Sequence, residues 1–108
     1  MIDLITDNLE AIRELCRTHG IERLDLFGSA ATGTFDITSS DIDFVVEMGG
    51  YDPDVDLRYL DLILELEQLL GYRVQMITEP SITRDYFRKA IDVQRVTLYD
   101  AGDRKQVA

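Results

Sequence analysis

The 108-residue chain has one cysteine, no run of basic residues, and no apolar stretch long enough to cross a membrane. A single thiol cannot form an internal disulfide. Cys16 falls in an apolar helical stripe and is read as a buried, reduced side chain. The opening Met1-Ile2-Asp3-Leu4 is acidic and amphipathic, unlike the basic start and apolar middle of a secretory signal. No internal repeat or linker composition is present. These absences predict a cytoplasmic globular chain without membrane association, with one domain over residues 1–100 and a tail over 101–108.

Positive charge is scarce as well. Eleven Lys and Arg stand against twenty-one Asp and Glu, a formal net charge of −10 that repels phosphate backbones unless a local basic patch overrides it. Arg84, Arg88 and Lys89 form one small group, and Arg104 with Lys105 another. They are read as a solvated helix face and part of the tail, so direct nucleic-acid binding is not expected. A basic protein partner, or a nucleotide carried with a divalent cation, suits this charge.

What is present is clear periodicity. Leu4, Ile5, Leu9, Ile12, Leu15 and Cys16 predict a first helix over about 3–18, stopped by Gly20. A strand over about 23–27 ends at Gly28, and small polar residues from Ala30 to Ser40 suit a helical turn and a loop. Ile42, Phe44 and Val46 alternate along a second strand over about 42–48. A long helix over about 54–70 follows, with Leu57, Leu60, Leu64, Leu69 and Leu70 as its apolar stripe and Gly71 as its stop. A third strand over about 72–78 stops at Pro80. Ser81 then caps a last helix burying Ile82, Tyr86, Phe87, Ala90 and Ile91, and a short strand over about 95–99 closes the chain. The order is that of an α+β fold, a mixed sheet covered by helices.

Two features point to chemistry. Asp41 and Asp43 lie two residues apart in a strand and so project from one face, while the opposite face is apolar. Such paired carboxylates suit Mg²⁺ or Mn²⁺, a hard cation that neutralises both; the alternative is the exposed face of an edge strand. Phe27-Gly28-Ser29 ends the first strand. Glycine permits close approach to the backbone, and Ser29 brings a hydroxyl beside the free amides of a helical turn, a workable phosphate cradle. The alternative there is a routine turn with a serine N-cap. If the two strands are neighbours, both features face one cavity.

Leu26-Phe27-Gly28-Ser29-Ala30-Ala31, Gly33, Ser40-Asp41-Ile42-Asp43 and Phe44-Val45-Val46 together resemble the signature of the minimal nucleotidyltransferases, small members of the DNA polymerase β-like superfamily. The eleven residues from Ala30 to Ser40 are within that family's spacing, and the resemblance extends over most of the chain. It implies the polymerase β-like nucleotidyltransferase fold and transfer of AMP from ATP to an acceptor hydroxyl. Asp41 and Asp43 would hold Mg²⁺, and Gly28 and Ser29 would hold the β- and γ-phosphates.

Two positions depart from that pattern. Gln75 stands where the family has a third carboxylate, and an amide contributes neither a base nor negative charge to a metal. Thr32 replaces an arginine of many relatives and brings no cationic donor. Of the nearby acids, Asp61, Glu65 and Glu67 belong to a helix face, and Glu79 follows the strand. His19 is read as a cationic complement to a helix end, and Tyr51, Tyr59, Tyr72, Tyr86 and Tyr99 as core or rim aromatics.

The resemblance also implies a partner, because members of this size often pair with a helical HEPN-domain RNase and act as its antitoxin. The leading expectation is therefore an enzyme that adds AMP to a HEPN toxin. The alternative is a binding module of the same fold, inactive through Gln75, that neutralises a toxin by complex formation. An antibiotic-modifying transferase ranks below both, since a small substrate needs a second domain or a homo-oligomer to enclose it.

Overall fold

A computed structural model describes residues 1–50 and 52–102. The elements in chain order are α1 (Asp3–Asp7), α2 (Leu9–Thr18), β1 (Ile21–Phe27), α3 (Ser29–Thr32), β2 (Ile42–Met48), α4 (Val55–Leu70) and β3 (Val74–Thr78). A 3₁₀ turn (Glu79–Ser81), α5 (Asp85–Gln94) and β4 (Val96–Asp100) complete them. The expected first helix is two, because the backbone leaves helical geometry at Asn8, whose side-chain amide turns back to the Leu4 carbonyl at 2.8 Å. Arg104 and Lys105 lie outside the described residues, as does Tyr51.

The sheet order is β3-β2-β1-β4, with β2 parallel to β3 and antiparallel to β1, and β1 antiparallel to β4. The sheet is therefore mixed, as expected, and β2 lies inside it rather than at an edge. On one face Leu24, Leu26, Ile42, Phe44, Val46 and Met76 pack against Ile12 and Cys16 of α2 and Leu62, Leu66 and Leu70 of α4. Each wholly buried side chain of this kind contributes about 1.5–3 kcal/mol relative to exposure. Burial also pushes the Cys16 thiol up to about 12, consistent with an inert core residue. The other face carries a smaller cluster of Val45, Ile82 and Ile91 beneath the 3₁₀ turn and α5.

Two helices bury only some of the residues the periodicity selects, Leu70 in α4 and Ile91 in α5. In α4 the buried line is Leu62-Leu66-Leu70, while Leu57, Leu60 and Leu64 stay exposed at 62%, 54% and 62%. In α5 only Ile91 is buried; Tyr86 and Phe87 are exposed. Ser81 does not cap α5 either, because its hydroxyl donates to the Thr78 carbonyl at 2.7 Å inside the 3₁₀ turn. Of the other described tyrosines, Tyr99 is buried and Tyr59 and Tyr72 are half-buried against the core.

Arg58 of α4 ties the loops at one end of the sheet. Its guanidinium donates to the carbonyls of His19 (2.8 Å), Gly20 (3.2 Å) and Gly49 (2.8 Å) and to Asp52 Oδ1 (2.7 Å). His19 ends α2 and meets Glu65 of α4, so it serves helix packing. At the opposite end Phe35 packs edge-to-face on Tyr72, with ring centroids 5.2 Å apart. That contact pins the loop between α3 and β2 to the turn before β3.

Candidate functional site

The site forms where strand pairing brings three chain segments to one end of the sheet. Phe27, the last residue of β1, is paired with Asp43 of β2, and Asp43 is paired with Gln75 of β3. Paired residues share a pleat, so Asp43 and Gln75 project from the same face. Their neighbours in sequence, Ile42, Phe44, Val74 and Met76, are buried on the other face. Asp41 immediately precedes β2 and is half-buried. Burial pushes the Asp43 carboxyl above its usual range, and the charge of Asp41 adds to the rise.

Gly28 follows Phe27 with φ 72° and ψ −157°, a conformation essentially reserved for glycine. A Cβ built there would collide with the Asp43 carboxylate. Glycine is thus required twice, by the backbone and by the acid lying against it. Gly28 is also the cap of α3, which makes Ser29 the first residue of the turn rather than its N-cap. Intra-turn bonds begin with the Ala31 and Thr32 amides, both donating to the Gly28 carbonyl at 3.0 and 3.1 Å. The Ser29 and Ala30 amides precede that ladder, as expected at a helix start.

The register and the close approach of Gly28 to Asp43 bring the Gly28-Ser29 turn, Asp41, Asp43 and Gln75 to one end of the sheet. All the side-chain donors are oxygens, a set suited to a hard divalent cation. Among the described residues no three of His, Cys, Asp and Glu cluster as a ready-made metal cage. Two carboxylates still fit Mg²⁺, which commonly takes one or two protein carboxylates and completes its shell with ligand oxygens and water. Raising Asp43 by desolvation and by Asp41 is the electrostatic situation that a bound cation relieves.

Other predicted positions lie elsewhere. Thr32 is exposed at the end of α3, its hydroxyl 3.1 Å from that of Thr34. Glu67 accepts from the Val74 amide at 3.0 Å and so anchors the start of β3. Glu79 does not reach in: Arg95 and Arg88 hold its carboxylate at 2.6 and 2.9 Å. Arg88 is consequently no solvated residue of a helix face.

Two residues escaped sequence reasoning. Asp25, on the same strand as Phe27, is completely buried and bonded to Arg23 and Arg95. The signal available was a carboxylate inside the apolar segment Leu24-Asp25-Leu26-Phe27, since a buried charge needs a partner. Gln94, at the end of α5, accepts a hydrogen bond from the Gly28 amide at 3.1 Å. No local pattern announces that contact.

A family model described as "Nucleotidyltransferase domain" matches residues 9–98. A curated relative from Methanocaldococcus jannaschii, described as a putative protein adenylyltransferase, is 36% identical over 92 residues, covering 78% of this chain and 91% of its own. Among solved structures, a putative minimal nucleotidyltransferase superposes with TM-score 0.71 and 30% identity over 87% of this chain and 92% of the other. A chain from the complex of tri-AMPylated Shewanella oneidensis HEPN toxin with its MNT antitoxin superposes with TM-score 0.61 and 19% identity. That alignment covers 94% of this chain and 77% of the other, and the likeness is one of fold.

Proposed function

The chain belongs to the nucleotidyltransferase domain family, with the polymerase β-like fold its sequence implied, and we propose that it transfers AMP from ATP to a hydroxyl on a HEPN-type toxin. The observation that carries this reading is the Phe27–Asp43 pairing, which sets the Gly28-Ser29 turn against the Asp41-Asp43 pair. The M. jannaschii relative is described as a protein adenylyltransferase, which supports a protein acceptor. The transferase unit is residues 1–100.

In this reading the Gly28 amide and Ser29 hydroxyl bind the β- and γ-phosphates, and Asp41 and Asp43 hold the divalent cation, Mg²⁺ or Mn²⁺. The bound cation would neutralise phosphate charge and lower the pKa of the acceptor hydroxyl. Held in line, that hydroxyl gives up its proton to solvent and its oxygen bonds to the α-phosphorus while the bond to the bridging oxygen breaks and pyrophosphate leaves. Gln75, beside Asp43, hydrogen-bonds the acceptor hydroxyl or a water and orients it. Incubation with a HEPN partner, Mg²⁺ and α-labelled ATP tests the proposal, and label on the partner is the expected result. No label, under conditions where an active relative transfers it, counts against the enzyme.

One observation favours a second reading. Gln75 occupies the place beside Asp43 where the family's third carboxylate is expected, so the fold would serve as a binding module that neutralises its toxin by contact. A net charge of −10 suits a basic RNase groove. Neutralisation that survives Asp43→Ala without nucleotide would select this reading over the first.

A further inference from the structure

The Gly28 amide, which the proposed function assigns to a phosphate oxygen, already has an acceptor. It donates to Oε1 of Gln94, which reaches it from the end of α5 at 3.1 Å. One N–H cannot serve a carboxamide oxygen and a phosphate oxygen with good geometry at once. The nucleotide must therefore take this donor from Gln94 to use it.

The surroundings suit such an exchange. Arg95, the next residue, is bonded to Asp25, Glu79 and Asp92, so the backbone beneath Gln94 is held in place. The Gln94 side chain itself is exposed, and this is its one hydrogen bond among the described residues. A fixed base with a side chain held at a single point can swing into water without disturbing the fold.

We propose that Gln94 is a latch on the phosphate cradle, satisfying the Gly28 amide until a nucleoside triphosphate displaces it, and so setting nucleotide affinity. The inference rests on the reading of Gly28-Ser29 as the phosphate site. Gln94 is a positioning residue here, acting through the Gly28 amide, and its removal tightens binding rather than weakening it. Losing a competing hydrogen bond of ordinary net strength raises affinity about two- to tenfold.

Calorimetric titration of the wild type and of Gln94→Ala, Gln94→Asn and Gln94→Glu tests this, with ATP and Mg²⁺ and separately with inorganic triphosphate and Mg²⁺. The alanine and the shorter asparagine are expected to bind both ligands tighter than wild type. The glutamate is expected to bind them more weakly, because a carboxylate holds the amide more firmly and repels the incoming anion. A purely structural role for the contact predicts the reverse order, since glutamate preserves the hydrogen bond and alanine removes it. Binding by wild type with alanine unchanged or weaker overturns the latch and leaves the transferase reading intact. Failure of both wild type and alanine to bind either ligand overturns the transferase reading and the latch together.

Discussion

Arg95 Nε lies 2.7 Å from Oδ2 of Asp25, a carboxylate with no solvent-accessible surface. The contact joins the residue after α5 to the middle of β1, and so fixes the end of the helix that carries Gln94. Removing Arg95 leaves the buried Asp25 carboxylate with Arg23 alone, and removing Asp25 leaves Arg95 with Glu79 and Asp92. Asp25→Ala or Arg95→Ala is therefore expected to cost about 1.5–3 kcal/mol, the range for a hydrogen bond to a charged group. Arg23→Ala, which removes the more exposed partner of the same carboxylate, is expected to cost about 1 kcal/mol or less. Urea midpoints of the three variants check the ranking, and equal losses would refute it.

Glu79 gives the fold an acid-sensitive contact. Its carboxyl is held below the usual glutamate range, first by the hydrogen bond from Arg95, with Arg88 adding to it against the opposing effect of burial. Folding lowers this group's pKa, so its stabilisation is complete above the ordinary glutamate range. It is lost as pH falls through the depressed value. Glu79→Gln is expected to be less stable than wild type near neutrality, with the gap closing as pH falls below the ordinary glutamate range. Denaturation across that range reads the gap directly; one that stayed constant would show that the charge of Glu79 is not what stabilises.

Gly28→Ala is expected to damage fold and site together. The backbone conformation alone costs about 1–3 kcal/mol with a side chain present, and the new methyl displaces the Asp43 carboxylate. Gly33→Ala is the control, because its φ is also positive but nothing lies within 4 Å of the added carbon. It is expected to cost about 1–2 kcal/mol and to leave ATP binding in Mg²⁺ unchanged. Thermal melts and ATP titrations on both variants separate backbone strain from loss of the site.

Gln75→Asp puts a third carboxylate beside Asp43. Mn²⁺ affinity is expected to rise on the order of tenfold, because site charge tunes the binding of hard cations. Without metal the same variant should melt below wild type, as like charges crowd one face. An unchanged Mn²⁺ titration would mean that position 75 does not face the ion.

The sheet was legible, and with it the placement of the candidate site residues, because strands are written in short periods. The spacing of Ile42, Phe44 and Val46 identified β2 and put Asp43 on the other face, which it shares with the buried Val45, and Gly28 marked the end of β1. The helices were less legible. Leucines occur on two sides of α4, and spacing alone does not decide whether Leu60 or Leu62 meets the sheet. Tertiary packing decides, and it chose Leu62. Asp25 with Arg95 and Gly28 with Gln94 pair residues 70 and 66 positions apart, distances at which local pattern carries no information.

The Phe27–Asp43 pairing has a consequence for how this hairpin tolerates change. Its two strands are fixed by their own ladder, so the chain between Gly33 and Ser40 closes a loop whose ends are already in place. Closure entropy grows only slowly with length, about 0.6 kcal/mol for a doubling. Insertions there would lengthen the loop while the glycine turn and the acid pair kept their register, so the spacing between the two motifs is free to drift.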